Sequence, residues 1–459
     1  MPPSRPGRPR ALRWLRGPTS RRFHRIALPA SLEALLQSLL FLVDMAILGR
    51  LGGDAFAAIG FVNGAVFLLM LCLGAFGGGG AALIAHAAGR REAERARGLV
   101  ALTVMAGALL GVAAGIAFGL GAELLALALE PPAAALAQTY QRIVAWSVPF
   151  LLLQSILGAC LRAVGETRLP FLVATAALAG KGVLTWILVL PPFGLPSLGV
   201  AGAAFATLIA EVTSAVALLL GVLSPAGPFA LRPRDLIRLE RTQLRPLLAV
   251  TAPIAAGQGI WAAGSFLYSL LHARLGTGAL AASQIVAVVE GTVIRVAFGL
   301  AVAALALVGH DLGAGRRRRA GVAAVVALRS GLLYASAGGC IVASASLVLD
   351  RLYPAMPGPT LELAVVGLLL SALMMPARIA NLILGTGILR AGGDTAFVMR
   401  VDALALAVGL PAAAVLGLPA GGGFAGVLAG RALEDIVRLG ALRWRWRGGR
   451  WNRLDRPSR

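Results

Sequence analysis

Three polar side chains lie at regular spacing in the first apolar segment of the chain. Glu33, Gln37 and Asp44 are separated by four and seven positions, which in an α-helix places them within an arc of about 40°. Carboxyl groups are costly inside a bilayer, so they usually face a cavity or a partner. A buried carboxyl can take up a proton, and an ionised one can hold Na⁺. This stripe is a candidate site for H⁺ or Na⁺ exchange, although Glu33 also fits an ordinary solvated acid near a helix start.

A single lysine, Lys181, lies in the middle of a later apolar segment. An ammonium group at membrane depth needs a carboxylate partner or must lose its proton. One interpretation is that Lys181 pairs with ionised Asp44, so that protonation or the arrival of substrate breaks the pair. The other is a static ion pair, or a side chain that extends to the membrane surface.

A second polar stripe contains aromatic residues. Gln258, Trp261, Ser265, Tyr268 and His272 share a helical arc of about 80°. This surface suits a flat, partly apolar cation, which it would bind by stacking and cation–π contacts. Aromatic residues at helical spacing also pack in protein cores, so an ordinary packing face is the alternative.

Polar residues in two further apolar segments are candidates for the same binding site. Arg378 and Asn381 share one face of a helix. Arg378 would either receive an anionic substrate or neutralise Glu290. Glu290 has two candidate partners of its own, Arg295 on the same helix or a residue on another helix.

The composition of the chain places these residues in lipid. Of 459 residues, 58% are hydrophobic and only 14% are charged, whereas soluble domains carry about a quarter charged residues. The formal charge of +22 comes from Arg clusters between apolar runs, which is typical of cytoplasmic anchors rather than a nucleic-acid surface. No P-loop, nucleophile, dinucleotide or metal motif is present. We therefore expect no enzyme activity, no cofactor and no nucleic-acid partner.

Twelve runs are apolar and long enough to cross a membrane. They cover residues 26–48, 56–88, 98–121, 136–162, 169–193, 198–223, 246–273, 279–309, 320–349, 361–389, 396–418 and 421–442. The connections alternate in charge, with Arg clusters at 90–97, 232–245 and 316–319 all on one side. The positive-inside rule then predicts a multi-pass protein of the bacterial inner membrane with both termini in the cytoplasm.

The two halves of the chain repeat each other. The string at 51–58 reappears at 275–282, and Pro29 falls on Pro253 at the same shift of 224 positions. The string at 161–167 returns at 389–395. Six spans separate equivalent points, so both halves cross the membrane in the same direction and their pseudo-two-fold axis lies along the membrane normal. Parallel repeats of this kind are one construction of secondary transporters.

These strings resemble the multidrug and toxic compound extrusion (MATE) family. The resemblance rests on Pro29 and Asp44 in the first span, on the Leu-Arg-Ala-x-Gly-Asp/Glu-Thr strings, and on the opening of the sixth span at 199–204. It implies a twelve-helix exporter of two six-helix bundles that expels organic cations in exchange for Na⁺ or H⁺. The form at 390–395 resembles DinF-like bacterial members. The Asn and Asp that help bind Na⁺ in some branches would fall near Lys181 and Thr185, and this departure favours H⁺.

The resulting prediction is an all-α membrane antiporter that exports a hydrophobic, cationic small molecule as a monomer. Coupling is assigned to Asp44, Lys181, Gln37, Glu33 and Thr185, and substrate binding to Trp261, Tyr268, Gln258, Ser265, Arg378, Asn381 and Glu290. A lipid-linked precursor flippase and a non-transporting scaffold are the alternatives. The predicted domains are an Arg-rich segment at 1–25, bundles at 26–223 and 246–442 joined by a linker at 224–245, and an Arg-rich tail at 443–459.

Overall fold

The computed structural model describes most of the chain. It covers residues 17–48, 53–126, 131–190, 197–225, 227–232, 234–235, 241–352, 358–418 and 421–449, without the side chains of 38–48, 53–54, 56–57, 125–126, 131–132, 241 and 352. Asp44 therefore has a helical backbone position but lies outside the described side chains, and its role stays a prediction. The described residues form helices and turns, with no β-strand among them.

Six helical spans make up the first half of the chain. They are α1 (Pro18–Leu48), α2 (Gly53–Leu73 and Ala75–Gly89, interrupted at Gly74), α3 (Ala93–Leu120), α4 (Pro131–Ala145 and Val148–Ala163), α5 (Arg168–Val189) and α6 (Gly199–Leu223). The two segments of α4 meet at an angle of 49°. The bend comes just before Pro149, a residue that lacks the amide proton needed to continue the helix.

Six further spans make up the second half. They are α7 (Leu244–Arg274), α8 (Thr277–Gly313), α9 (Arg317–Ala345), α10 (Gly358–Leu382, continued by the π-helical turns Ile383–Leu389), α11 (Thr395–Gly417) and α12 (Gly423–Arg447). All twelve predicted spans are present, although α1 starts earlier than expected and α12 ends later. Within the described ranges, nine helices are long and apolar enough to cross a membrane alone, and bent α4 makes a tenth.

Helix neighbours in the first half recur in the second. The pair α3 and α4 corresponds to α9 and α10, the pair α5 and α6 to α11 and α12, and the pair α1 and α5 to α7 and α11. Across the two halves, α1 packs on α8 and α7 packs on α2. The helices thus form two six-helix bundles related by a pseudo-two-fold, here called the N-lobe (α1–α6) and the C-lobe (α7–α12). The predicted fold class is confirmed, while the residue boundaries of the domains stay a prediction.

The repeated Leu-Arg-Ala-x-Gly strings form the turns that end α4 and α10. Gly165 and Gly393 adopt φ values of +89° and +76°, which glycine tolerates better than other residues. The amide that follows each glycine donates back to the last turn of the preceding helix, which is the Schellman ending. The acidic residue after the glycine has different partners in the two lobes. Glu166 accepts hydrogen bonds from the first amides of α5, whereas buried Asp394 accepts one from Arg445 of α12 at 2.6 Å. The repeated string therefore has a structural role in both lobes, which is to end a helix.

The lobes meet on the Arg-rich side, where α2 is connected to α3 and α8 to α9. A Cβ atom on Gly89 would overlap the carbonyl oxygen of His310, and one on Gly313 would overlap that of His86. The two helix ends therefore cross in direct backbone contact at repeat-equivalent positions. Buried apolar side chains of both lobes continue this contact in a single cluster. The structure is accordingly a state closed on its Arg-rich side.

The glycine crossing predicts a change in conformation for Gly89→Ala. The added methyl group has no room against His310, so we expect the lobes to separate on the Arg-rich side. Spin labels at the exposed positions Glu94 and Arg318, in a chain whose three cysteines are alanines, would then report longer distances. Gly321→Ala is the control, because a Cβ there meets open space. An unchanged distance distribution in folded Gly89→Ala would contradict the closure.

Candidate functional site

The N-lobe contains a cavity of about 370 Å³ between α1, α4, α5 and α6, with α8 of the C-lobe closing one side. Its polar lining consists of Glu33, Gln37, Gln154, Ser155 and Arg162. The structure thus brings Glu33 and Gln37 of the predicted stripe to one cavity. The third member of the stripe, Asp44, lies outside the described side chains.

Glu33 forms an ion pair across this cavity. Both of its carboxylate oxygens lie 3.2 Å from Nη1 of Arg162, and both side chains are mostly buried. Arg162 belongs to the repeated string that ends α4, so one sequence motif both terminates a helix and supplies this charge. Sequence reasoning missed Arg162 as a site residue, because its partner lies 129 positions away. Glu33 is therefore part of the cavity wall and not a solvated acid at a helix start.

Lys181 has a carboxylate neighbour that the sequence analysis did not assign. Glu211, in the middle of α6, interacts electrostatically with Lys181 of α5, and these two helices pack along each other. Glu211 also accepts a hydrogen bond from Gln154, which lines the cavity. Thr185 is buried one turn beyond Lys181. The sequence feature that could have identified Glu211 as a site residue is its position, as an isolated acid halfway along an otherwise apolar span.

Arg378 is the centre of a buried charge network in the C-lobe. Its guanidinium forms an ion pair with Glu290, and its Nε donates to Asp435 at 2.8 Å. Glu290 also accepts a hydrogen bond from Nη2 of Arg431 on α12, at 3.1 Å. Of the two interpretations for Glu290, the structure shows partners on other helices, because Arg295 is exposed and donates to a backbone carbonyl of its own helix. The structure also shows that Arg378 neutralises Glu290.

The network continues along α12. Arg438 lies 3.1 Å from Asp402 of α11 and donates to Glu434 at 2.8 Å. Glu434 in turn accepts from the Tyr268 hydroxyl at 2.8 Å. Asn381 joins it by donating to the backbone carbonyl of Asp435 at 2.9 Å. The sequence analysis did not select the charged residues of α12. Their spacing was a usable signal, because Arg431, Glu434 and Arg438 are three, four and seven positions apart and so share one helix face.

The predicted stripe of α7 is divided between two environments. Tyr268 and His272 are buried, whereas Trp261 is 47% exposed and Ser265 is also exposed. Leu270, nine positions after Trp261, is exposed on the opposite side of the helix. Helical pitch places Trp261 and Ser265 within about 60° of Gln258, which lines a pocket between the lobes. Trp261 and Ser265 are thus accessible, while Tyr268 belongs to the C-lobe network.

A second pocket, of about 280 Å³, lies between the lobes. The N-lobe contributes residues of α2 on both sides of Gly74, from Phe67 to Gly78, and the C-lobe contributes Ile254, Gln258 and Arg390. Gln258 is therefore the member of the α7 stripe that reaches an interlobe pocket. Among the described residues that line it, Arg390 carries the only charge.

Two homologous helical bundles with a cavity, a cleft between them and charges at membrane depth are the features of a secondary transporter. The MatE family model matches residues 29–188 and 253–415. The chain is 31% identical over 450 residues to the probable multidrug resistance protein NorM of Bradyrhizobium diazoefficiens, with 92% of each chain covered. It is 28% identical to the multidrug resistance protein NorM of Burkholderia vietnamiensis, again covering 92% of each. The chain belongs to the MATE family, as the sequence motifs predicted.

Solved structures show the same fold. An outward-facing multidrug resistance MATE family transporter matches with a TM-score of 0.88 at 18% identity, covering 98% of this chain and 100% of the other. A Vibrio cholerae MATE transporter matches with a TM-score of 0.84 at 20% identity, covering 94% and 97%. The finer resemblance to DinF-like members stays a prediction, as do the roles assigned to individual site residues.

Proposed function

We propose that this protein is a multidrug efflux antiporter of the bacterial inner membrane. It exports hydrophobic organic cations in exchange for H⁺ or Na⁺, with H⁺ preferred, and both termini lie in the cytoplasm. The observation that carries the proposal is the N-lobe cavity, whose wall contains the Glu33–Arg162 ion pair and Gln154, which donates a hydrogen bond to Glu211. The NorM relatives are named for multidrug resistance, which supports the export of drug-like compounds.

Coupling is assigned to the N-lobe. Glu33 and Gln37 line its cavity, Asp44 follows on the same predicted stripe, and Lys181 and Thr185 lie on α5. A carboxylate that takes up a proton loses its attraction to a basic partner, so proton binding would open an ion pair and change the cavity wall. Lys181 already supplies a positive charge beside Glu211, which favours H⁺ over a bound metal cation at this place.

Substrate binding is assigned to the cleft and the C-lobe wall. Trp261 offers an exposed aromatic face for a flat cation, with Ser265 and Gln258 on the same side of α7. Tyr268, Arg378, Asn381 and Glu290 are assigned to the C-lobe wall of this site. Arg378 pairs with Glu290, whereas Tyr268 and Asn381 donate to Glu434 and to the backbone of Asp435 on α12. Because carboxylates neutralise these guanidinium groups, the wall does not repel a cation. This charge balance also disfavours the flippase alternative, which needs a strongly cationic cavity.

The coupling ion is tested by ethidium efflux from proteoliposomes. An imposed H⁺ gradient is expected to drive efflux, and a Na⁺ gradient of equal size is not. Asp44→Asn is expected to abolish efflux at normal incorporation, because it removes an ionisable group from the coupling stripe. Stimulation by Na⁺ alone would overturn the assignment of H⁺, and unchanged efflux by Asp44→Asn would remove Asp44 from the mechanism.

A further inference from the structure

Arg390 differs from the arginines of the buried charge network in the C-lobe. Arg378, Arg431 and Arg438 each form an ion pair with a carboxylate. No described carboxylate forms one with Arg390, and Asp402 interacts with it only over a longer distance. Asp402 is itself paired with Arg438 at 3.1 Å. The guanidinium of Arg390 instead lines the interlobe pocket.

The internal repeat explains why this guanidinium lacks a close carboxylate. Arg390 is the repeat equivalent of Arg162, since both hold the second position of the Leu-Arg-Ala string. In the N-lobe, Arg162 pairs with Glu33 of α1. The shift of 224 positions places Gly257 of α7 where Glu33 stands. The C-lobe therefore keeps the arginine but has a glycine in place of its acid.

We propose that Arg390 binds the carboxylate of an amphipathic, zwitterionic substrate in the interlobe pocket. The substrate carboxylate takes the place that Glu33 has in the N-lobe. This inference deepens the proposed export function, and its consequence for transport rests on that function.

The rest of the pocket fits this class of ligand. Phe67, Met70 and Leu71 of α2 and Ile254 of α7 form apolar walls, and the amide of Gln258 adds a neutral hydrogen-bonding group. An arginine in an apolar, water-poor pocket makes strong, geometrically specific hydrogen bonds to a carboxylate. The exposed ring of Trp261 follows Gln258 on the same side of α7, where it can meet a cationic, aromatic part of the same molecule.

The test compares two ligands that differ in one group. The probes are a rhodamine with a free carboxylate and the methyl ester of the same dye, and binding to the purified full chain is followed by fluorescence polarisation. Arg390→Gln is expected to weaken binding of the acid by about tenfold or more, the loss of one charge-assisted contact. Binding of the ester is expected to stay unchanged, which also reports that the variant is folded.

A second pair of variants restores the missing acid. Gly257→Glu is expected to pair internally with Arg390 and so to weaken binding of the acid dye as Arg390→Gln does. A Cβ atom is accommodated there, because its nearest neighbour, Oδ2 of Asp402, lies at 3.4 Å, an ordinary contact distance. Gly257→Gln, of equal size and without charge, is expected to bind the acid dye normally.

Three results would overturn the proposal. They are failure of the unaltered protein to bind the acid dye, equal loss of both dyes in Arg390→Gln, and equal behaviour of Gly257→Glu and Gly257→Gln. The proposed function is tested separately by ethidium efflux, because ethidium has no carboxylate. Loss of efflux with intact acid binding would therefore count against export and not against this site.

Discussion

Replacing Arg378 by methionine is expected to destabilise the protein by about 3–5 kcal/mol, the cost of breaking a buried ion pair by removing one partner. The change leaves the carboxylates of Glu290 and Asp435 without the guanidinium that they share. These carboxylates are buried, and the side chain of Arg378 is only 10% exposed. Thermal unfolding in detergent, followed by intrinsic tryptophan fluorescence, measures the effect.

The matched control for this prediction is Arg295→Met. Arg295 is exposed and its side chain donates only to a carbonyl of its own helix, so its loss is expected to change stability by less than about 0.5 kcal/mol. Equal stability of Arg378→Met and Arg295→Met would mean that the C-lobe network does not hold α8, α10 and α12 together.

Separating Lys181 from Glu211 is expected to reduce ion-driven efflux by at least about tenfold, because each single change leaves a charge at membrane depth without its neighbour. We expect this loss for both Lys181→Met and Glu211→Gln in the proteoliposome assay. Thr175→Val on α5 is the control, since the Thr175 hydroxyl donates only to its own helix at 2.8 Å.

The double variant decides what the pair does. Lys181→Met combined with Glu211→Gln removes both charges, so it leaves neither group unpaired and is expected to fold like the unaltered protein. If the pair takes part in coupling, the double variant binds substrate and still fails to transport it against a gradient. Full recovery of efflux in the double variant would show a static structural pair, and coupling would then rest on the stripe of α1.

The balance of charges differs between the two lobes. The C-lobe network extends from Glu290 through Arg378 and α12 to Asp402, and nearly every member has two or more partners. Among the described side chains that line the N-lobe cavity, Glu33 and Arg162 form an ion pair, and Gln154 donates to the acid Glu211. An ion pair with few supporting contacts is easier to open than a continuous network, so this asymmetry supports placing the coupling step in the N-lobe.

The twelve helices, their grouping into two parallel halves and the membership of the MATE family were all predictable from the amino-acid sequence. These features depend on local chemistry, because a backbone in lipid must satisfy its own hydrogen bonds and therefore forms helices wherever the apolar run is long enough. The placement of Glu33 and Gln37 on the same face of α1 was also predictable, since it depends only on the pitch of a helix. The turns that end α4 and α10 repeat for the same local reason.

The partners of the charged groups, in contrast, depend on how the helices pack against each other. Glu33 meets Arg162, Glu290 meets Arg378 and Arg431, and Glu211 interacts with Lys181. Helical spacing says which side chains share a face, but it does not say which helix that face will meet or at what depth. Those choices follow from how the helices rotate and cross as they pack, which depends on contacts between residues far apart in the chain.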